Sequence, residues 1–283
     1  MKKLLISRSF LVLVLLGINW SCSKTDPAPA TPTTPEYQTV IEAKFKALGW
    51  DKDGHALFNG TGPVKTVGGK GYVQYYAFGT RKTAIYYFDG KGAFSMDTAE
   101  MTKYEALGAD NFAFVVSDPK SSGTGSGHNE IIKISDNSAG IIISTPNVGT
   151  FVVYGEIYKK YLAINRWSSP LGYPISDELP TPADNGRFNS FSNGVIWSFP
   201  TTGTNALWGK IIKLYLAIDY ERSWLGKPTE SCDPNKGDAN QRVGFENGSV
   251  GVGSGGTCGN YYNKSGLSVL QTGKTSSSVI PCY

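Results

Sequence analysis

The sequence predicts an α+β fold: four tandem ββα units, each a helix plus a β-hairpin, in a closed or strongly curved pseudo-symmetric array. Three observations predict it. The tetrad Leu-Gly-x-Pro occurs twice, at Leu171, Gly172 and Pro174 and at Leu225, Gly226 and Pro228, with an offset of 54. The same offset relates Gly155 to Gly209, Ile157 to Ile211, Tyr161 to Tyr215, Phe191 to Phe245 and Asn193-Gly194 to Asn247-Gly248, which marks an internal duplication. A helical signature recurs four times, as "KFKALG", "KYEALG", "KYLAIN" and "LYLAID", with anchoring aromatics Phe45, Tyr104, Tyr161 and Tyr215 spaced by 59, 57 and 54. One such unit buries too little surface to stand alone, so each helix must cover a neighbouring hairpin.

The elements follow in chain order. Lys2, Lys3 and Arg8 precede an apolar run from Phe10 to Ile18, so residues 1–21 have the order of a signal peptide. The run is too short to cross a bilayer. "NWSC" places a small Ser21 before Cys22 and resembles the lipobox of bacterial lipoproteins, although Asn19 and Trp20 depart from its usual pattern. That resemblance implies that Cys22 is lipidated after cleavage and anchors the chain to a membrane. The "CSKTD" start looks like lipoproteins of the Bacteroidota, which implies an outer-membrane, surface-exposed location. Pro27, Pro29, Pro32 and Pro35 keep residues 22–35 extended, as a linker.

The repeat domain is expected over 36–283, with units at about 37–95, 96–153, 154–207 and 208–262 and a tail at 263–283. Each unit opens with a short amphipathic helix. Ile157, Tyr161 and Ile164 lie on one helical face, as do Ile211, Tyr215 and Ile218, and Ile41, Phe45 and Leu48. In the second unit Met101, Tyr104 and Leu107 take that part, after a capping box of Asp97 and Glu100. Hairpins are expected at 71–88 and 130–144, and around the turns Asn193-Gly194 and Asn247-Gly248.

Composition narrows the function classes. Removing residues 1–21 leaves 24 basic and 23 acidic residues, a net charge of +1 that argues against nucleic acid as partner. The 16 tyrosines and 6 tryptophans suit an extracellular β-rich module; aromatic-rich surfaces often bind sugars, although most of these rings are expected in the core. Three cysteines remain in the body. Cys232 and Cys258 flank the last hairpin and are expected to form a disulfide, with Cys282 left over or competing for one of them.

With the tetrad, "NGRFNSFSNGVIW" and "TGTNALWGKI" in place, the segment from Tyr154 to about Gly251 resembles the LGFP repeat family. In the third motif position Tyr173 is conservative and Lys227 is a departure. Units one and two lack the tetrad. The resemblance implies a secreted bacterial protein attached to the cell wall through carbohydrate. Within the motif, leucine is expected to plug the core, glycine to take a backbone angle closed to other residues, and proline to set the next turn.

No catalytic constellation appears, and no cofactor or metal is implied. His55 and His128 are the only histidines, both expected in loops. "HNE" at 128–130 lacks the paired cysteines of a zinc deaminase. "GVGSGG" at 251–256 is not followed by a helix, and "DKDG" at 51–54 has the wrong spacing for a calcium loop. Candidate sugar-binding residues are Trp167, Tyr173, Asp177, Arg187, Trp197, Trp224 and Arg242, aromatics beside polar planar groups in units three and four. The expected function is a non-enzymatic, surface-anchored lipoprotein that binds cell-wall or other polysaccharide. The alternatives are a scaffold or adhesin contacting protein partners and, more remotely, an envelope-glycan enzyme.

Overall fold

A computed structural model describes residues 34–123, 125–182, 184–253 and 259–265. Helix α1 (Glu36–Ala47) is followed by a five-stranded sheet of β1 (Ala56–Leu57), β2 (Val64–Lys65), β3 (Gly71–Phe78), β4 (Arg81–Phe88) and β5 (Gly92–Met96). Helix α2 (Thr98–Ala106) leads to a second five-stranded sheet of β6 (Ala113–Val115), β7 (Lys120–Ser121), β8 (Gly127–Lys133), β9 (Ala139–Thr145) and β10 (Gly149–Tyr154). Helix α3 (Gly155–Ala163) leads to a four-stranded sheet of β11 (Leu179–Pro180), β12 (Arg187–Phe191), β13 (Gly194–Phe199) and β14 (Gly203–Trp208). Helix α4 (Gly209–Leu216) leads to a three-stranded sheet of β15 (Arg242–Phe245), β16 (Gly248–Val252) and β17 (Gly259–Asn263). All strand pairs are antiparallel.

This overturns the expected fold class. The described chain is mostly antiparallel sheet with four short helices, and no sheet closes or curls, so a closed array of ββα units is not formed. The expected hairpins are each joined by a third strand: β5, β10, β14 and β17 pair with the second strand of the hairpin before them. Strands β10 and β14 run straight into the next helix, at Tyr154-Gly155 and Trp208-Gly209. Gly155 and Gly209 take the corner in a left-handed conformation, with φ of 64° and 60°.

Packing explains why the array need not close. Sheet and helix alternate in layers. Ile41 of α1 packs on Tyr76, Ile85 and Tyr87, on one face of the first sheet. Ala84, Tyr86 and Phe88 point to the other face and meet Met101 and Tyr104 of α2, which also touches Ile131 and Ile142 of the second sheet. Ile141 and Ile143 turn the opposite way, into the cluster that holds Ile157 and Tyr161 of α3, and this cluster continues through Ile196, Ile211 and Tyr215 to Val243 and Val250. A strand buried on both faces reads as an unbroken apolar run, as "AIYYF" and "GIII" do.

Candidate functional site

The two Leu-Gly-x-Pro loops share one set of backbone angles and hydrogen bonds. Leu171 and Leu225 are both fully buried. Gly172 and Gly226 have φ of 77° and 73°, in the left-handed region that a β-carbon disfavours. The Gly172 carbonyl accepts from the Tyr161 hydroxyl at 2.7 Å, and the Gly226 carbonyl from the Tyr215 hydroxyl at 2.8 Å. Asn193 Nδ2 donates to the Pro170 carbonyl at 3.1 Å, and Asn247 Nδ2 to the Trp224 carbonyl at 3.0 Å. Pro174 and Pro228 bridge to Phe191 and Phe245. The serine before each leucine also has work: Ser169 Oγ and Ser223 Oγ donate to the carbonyls of Arg166 and Tyr220 and accept from the amides of Leu171 and Leu225. The tetrad is therefore a hinge that ties the helix tyrosine to the turn of the hairpin.

The third motif position reaches back to the preceding layer. Tyr173 donates its hydroxyl proton to the Ser122 carbonyl at 2.7 Å. Lys227 Nζ reaches Asp184 at 2.9 Å and Glu246 at 3.4 Å. The hydrogen bond from Lys227 to Asp184, with both carboxylates near, raises the lysine pKa against the effect of burial. Tyrosine and lysine thus make the same kind of cross-layer contact, one through a hydroxyl and the other through an ammonium.

Polar ties recur between neighbouring sheets. Asp177 accepts from the Val152 amide at 3.0 Å and pairs with Lys103 of α2. Asp118 likewise accepts from the Ser95 amide at 2.9 Å and pairs with Lys44 of α1. Burial would raise Asp118, but Lys44 and Ser95 outweigh it and hold the carboxyl below its usual range. The buried amides of Asn129 and Asn189 each donate to two carbonyls, Ser95 with Ser117 and Val152 with Ser176.

The expected ligand residues do not converge. Trp197 is 3% exposed and packs edge-on to Tyr215 with ring centres 5.6 Å apart, so it is a core residue and not an open platform. Asp177 is a tie between layers, as above. Arg187 pairs through Nε with Glu178 at 2.7 Å. Arg242 bonds Ser249 at 3.1 Å and covers the ring of Tyr262. Trp167 lies parallel to Tyr173, 6.3 Å away, with the Arg166 guanidinium over its ring. Trp224 is 40% exposed, edge-on to Tyr261. Cys232 is a free buried thiol whose pKa burial pushes up to about 12; its expected partner Cys258, with Cys22 and Cys282, lies outside the described residues. His128 is not in a loop: it sits buried in β8, with Nδ1 2.6 Å from Ser122 Oγ, and burial lowers its pKa.

One concavity in this half gathers suitable groups. A groove of about 370 Å³ lies between the third sheet and the turn after α4. Phe188, Val195 and Trp197 line it together with Tyr220, Glu221 and Arg222. Of these, sequence reasoning singled out only Trp197; it missed the turn residues Tyr220, Glu221 and Arg222. Their signal was the helix exit "AIDYER", where Asp219 and Tyr220 take positive φ of 72° and 53°, as Asn165 and Arg166 do one repeat earlier.

Residues 171–223, which include the first tetrad and the groove-lining turn, match the LGFP repeat family. LGFP repeats are associated with the cell envelope. No curated protein matches the chain. No helix among the described residues is long and apolar enough to cross a membrane.

Proposed function

We propose that this chain is a non-enzymatic, surface-anchored lipoprotein that uses its repeats to bind cell-envelope or environmental carbohydrate. The observation that supports it is the groove inside the matched repeat, where an apolar wall meets a tyrosine ring and two charged side chains. Its volume lies within the ~300–1,000 Å³ of small-molecule sites, which are apolar with a few placed polar groups. A pyranose offers matching chemistry: an apolar C–H face for Tyr220 and hydroxyls for Glu221 and Arg222. Lipid on Cys22 would hold the chain at the outer membrane, with residues 22–35 as a spacer. No cofactor and no nucleic acid enters this reading.

Retention of the full chain on purified peptidoglycan sacculi tests it. The variant Glu221→Ala with Arg222→Ala should lose retention about tenfold, the equivalent of ~1.4 kcal/mol, without a lower melting temperature. Unchanged retention would remove the groove from the proposal. The exposed Leu179 and Ile175, 46% and 45% accessible, favour the second reading, a scaffold for a protein partner. Retention that survives enzymatic removal of the glycan strands would support that reading instead.

A further inference from the structure

We propose that His128 is an acid-sensitive pin, whose protonation loosens the junction between the second sheet and the unit that carries the first tetrad. This is independent of the carbohydrate reading and uses no residue of the groove.

The repeat sets the position. In each of the first three sheets one strand carries a residue paired on both sides, followed by a buried amide. The pairs are Val73 with Gln74 in β3, His128 with Asn129 in β8 and Phe188 with Asn189 in β12. The three amides donate to the carbonyls of Thr61, Ser117 and Ser176, each three residues before the partners Val64, Lys120 and Leu179. Valine and phenylalanine fill the place with carbon alone. Of the three, only His128 brings a titratable ring, in a residue 2% exposed.

The surroundings accept a neutral imidazole and oppose a charged one. Nδ1 has Ser122 Oγ at 2.6 Å, while Nε2 is buried without a hydrogen-bond partner. With the proton on Nδ1, a neutral ring leaves only a lone pair at Nε2. The imidazolium puts an N–H there with no acceptor. Two cations face the ring, Lys120 from β7 and Arg166 from the turn after α3. Glu130 of β8 has the opposite sign, but it is paired with Lys120 at 2.8 Å. Tyr158 of α3 adds a hydroxyl near Arg166 and Glu130, and β9 sets Ile143 opposite His128. The Trp167 ring stands 5.1 Å away, with the Arg166 guanidinium on it. Burial first, and then the two cations, hold the imidazole below its ordinary 6.5.

The partner of the ring also holds the junction. The Ser122 carbonyl accepts from the Tyr173 hydroxyl at 2.7 Å, and Trp167 lies parallel to Tyr173. A charge on His128 therefore acts on the contact that the third motif position makes across the layers. Well above 6.5 the ring is neutral whether the junction is closed or open. Below 6.5 an opened ring takes up a proton that the closed one does not. Opening is then favoured by up to about tenfold per pH unit, until the closed ring titrates as well.

Hydrogen exchange of the full chain at about pH 7.5 and about pH 5.5, corrected for intrinsic exchange rates and followed by mass spectrometry, tests the pin. Wild type is compared with His128→Phe, which installs the residue of the third sheet. In wild type, opening of β8 and of the loop around Leu171 and Tyr173 should rise about three- to tenfold at the lower pH, while the first sheet holds. In His128→Phe that rise should be absent. Groups that titrate elsewhere are common to both proteins and cancel. Should the phenylalanine variant fail to fold, His128→Gln decides by the same comparison. An equal rise in wild type and variant overturns the pin, as does no rise in wild type. A rise spread evenly over all the sheets overturns it too, because protonation would then unfold the chain and not one junction.

Discussion

Glu100 shows how one residue can have a visible role and a hidden cost. The sequence pattern reads it as the second member of a capping box with Asp97, yet no side-chain cap is made at the start of α2. Instead its carboxyl is buried, and burial, helped by the nearby Asp97, lifts its pKa from 4.5 to about 7. As pH rises, the unfolded chain loses this proton first. Stability should therefore fall between about 4.5 and 7 and then level off, at ~1.4 kcal/mol per pH unit at most. Glu100→Gln should flatten that limb and raise the melting temperature at pH 8. Parallel melting profiles for the variant and wild type across pH 5–8 would refute the burial argument. The same contrast between pattern and environment holds for Trp197, an aromatic on a strand next to a turn, which the layers bury completely enough to make it core.

At the scale of elements, the tetrad is legible in sequence because its role is local. A buried leucine, a left-handed glycine and a turn-setting proline each impose a residue type at one position. Leu171→Ala and Leu225→Ala should each cost about 2–5 kcal/mol, since each leucine is fully buried in the core. Thermal melting measures this, and sacculus retention should fall only as far as unfolding requires. Variants that melt like wild type but no longer bind would make the tetrad a ligand site. The third strands were not legible. Segments such as "GTFVVY" and "TNALW" precede a helix signature directly, with no turn residues between strand and helix. The last strand residue, Tyr154 or Trp208, is also the N-cap of the helix that follows, and only pairing in the sheet marks the boundary. Lys227 was likewise unreadable, since its partner Asp184 lies 43 residues away in the layer before.

At the scale of the whole molecule, the layered stack places two concavities at two different junctions, one beside the first sheet and one beside the third. Cys22→Ala should move the protein from the detergent phase to the aqueous phase in a partitioning assay, and equal partitioning of variant and wild type would exclude a lipid on that residue. The amino-acid sequence by itself determined the repeat, its spacing, the helices and the hairpin turns, because each depends on residues close together in the chain. It also determined the hinge, whose residue types follow from backbone geometry and a single buried side chain. Only the tertiary structure decided the stacking of helix and sheet, the third strands, and which aromatics are core. It alone brought Arg166 and Trp167 against His128, and Trp197 and Tyr220 to one groove. Those outcomes depend on which face of each sheet meets which helix, and a strand buried on both faces carries no periodicity from which that choice can be read.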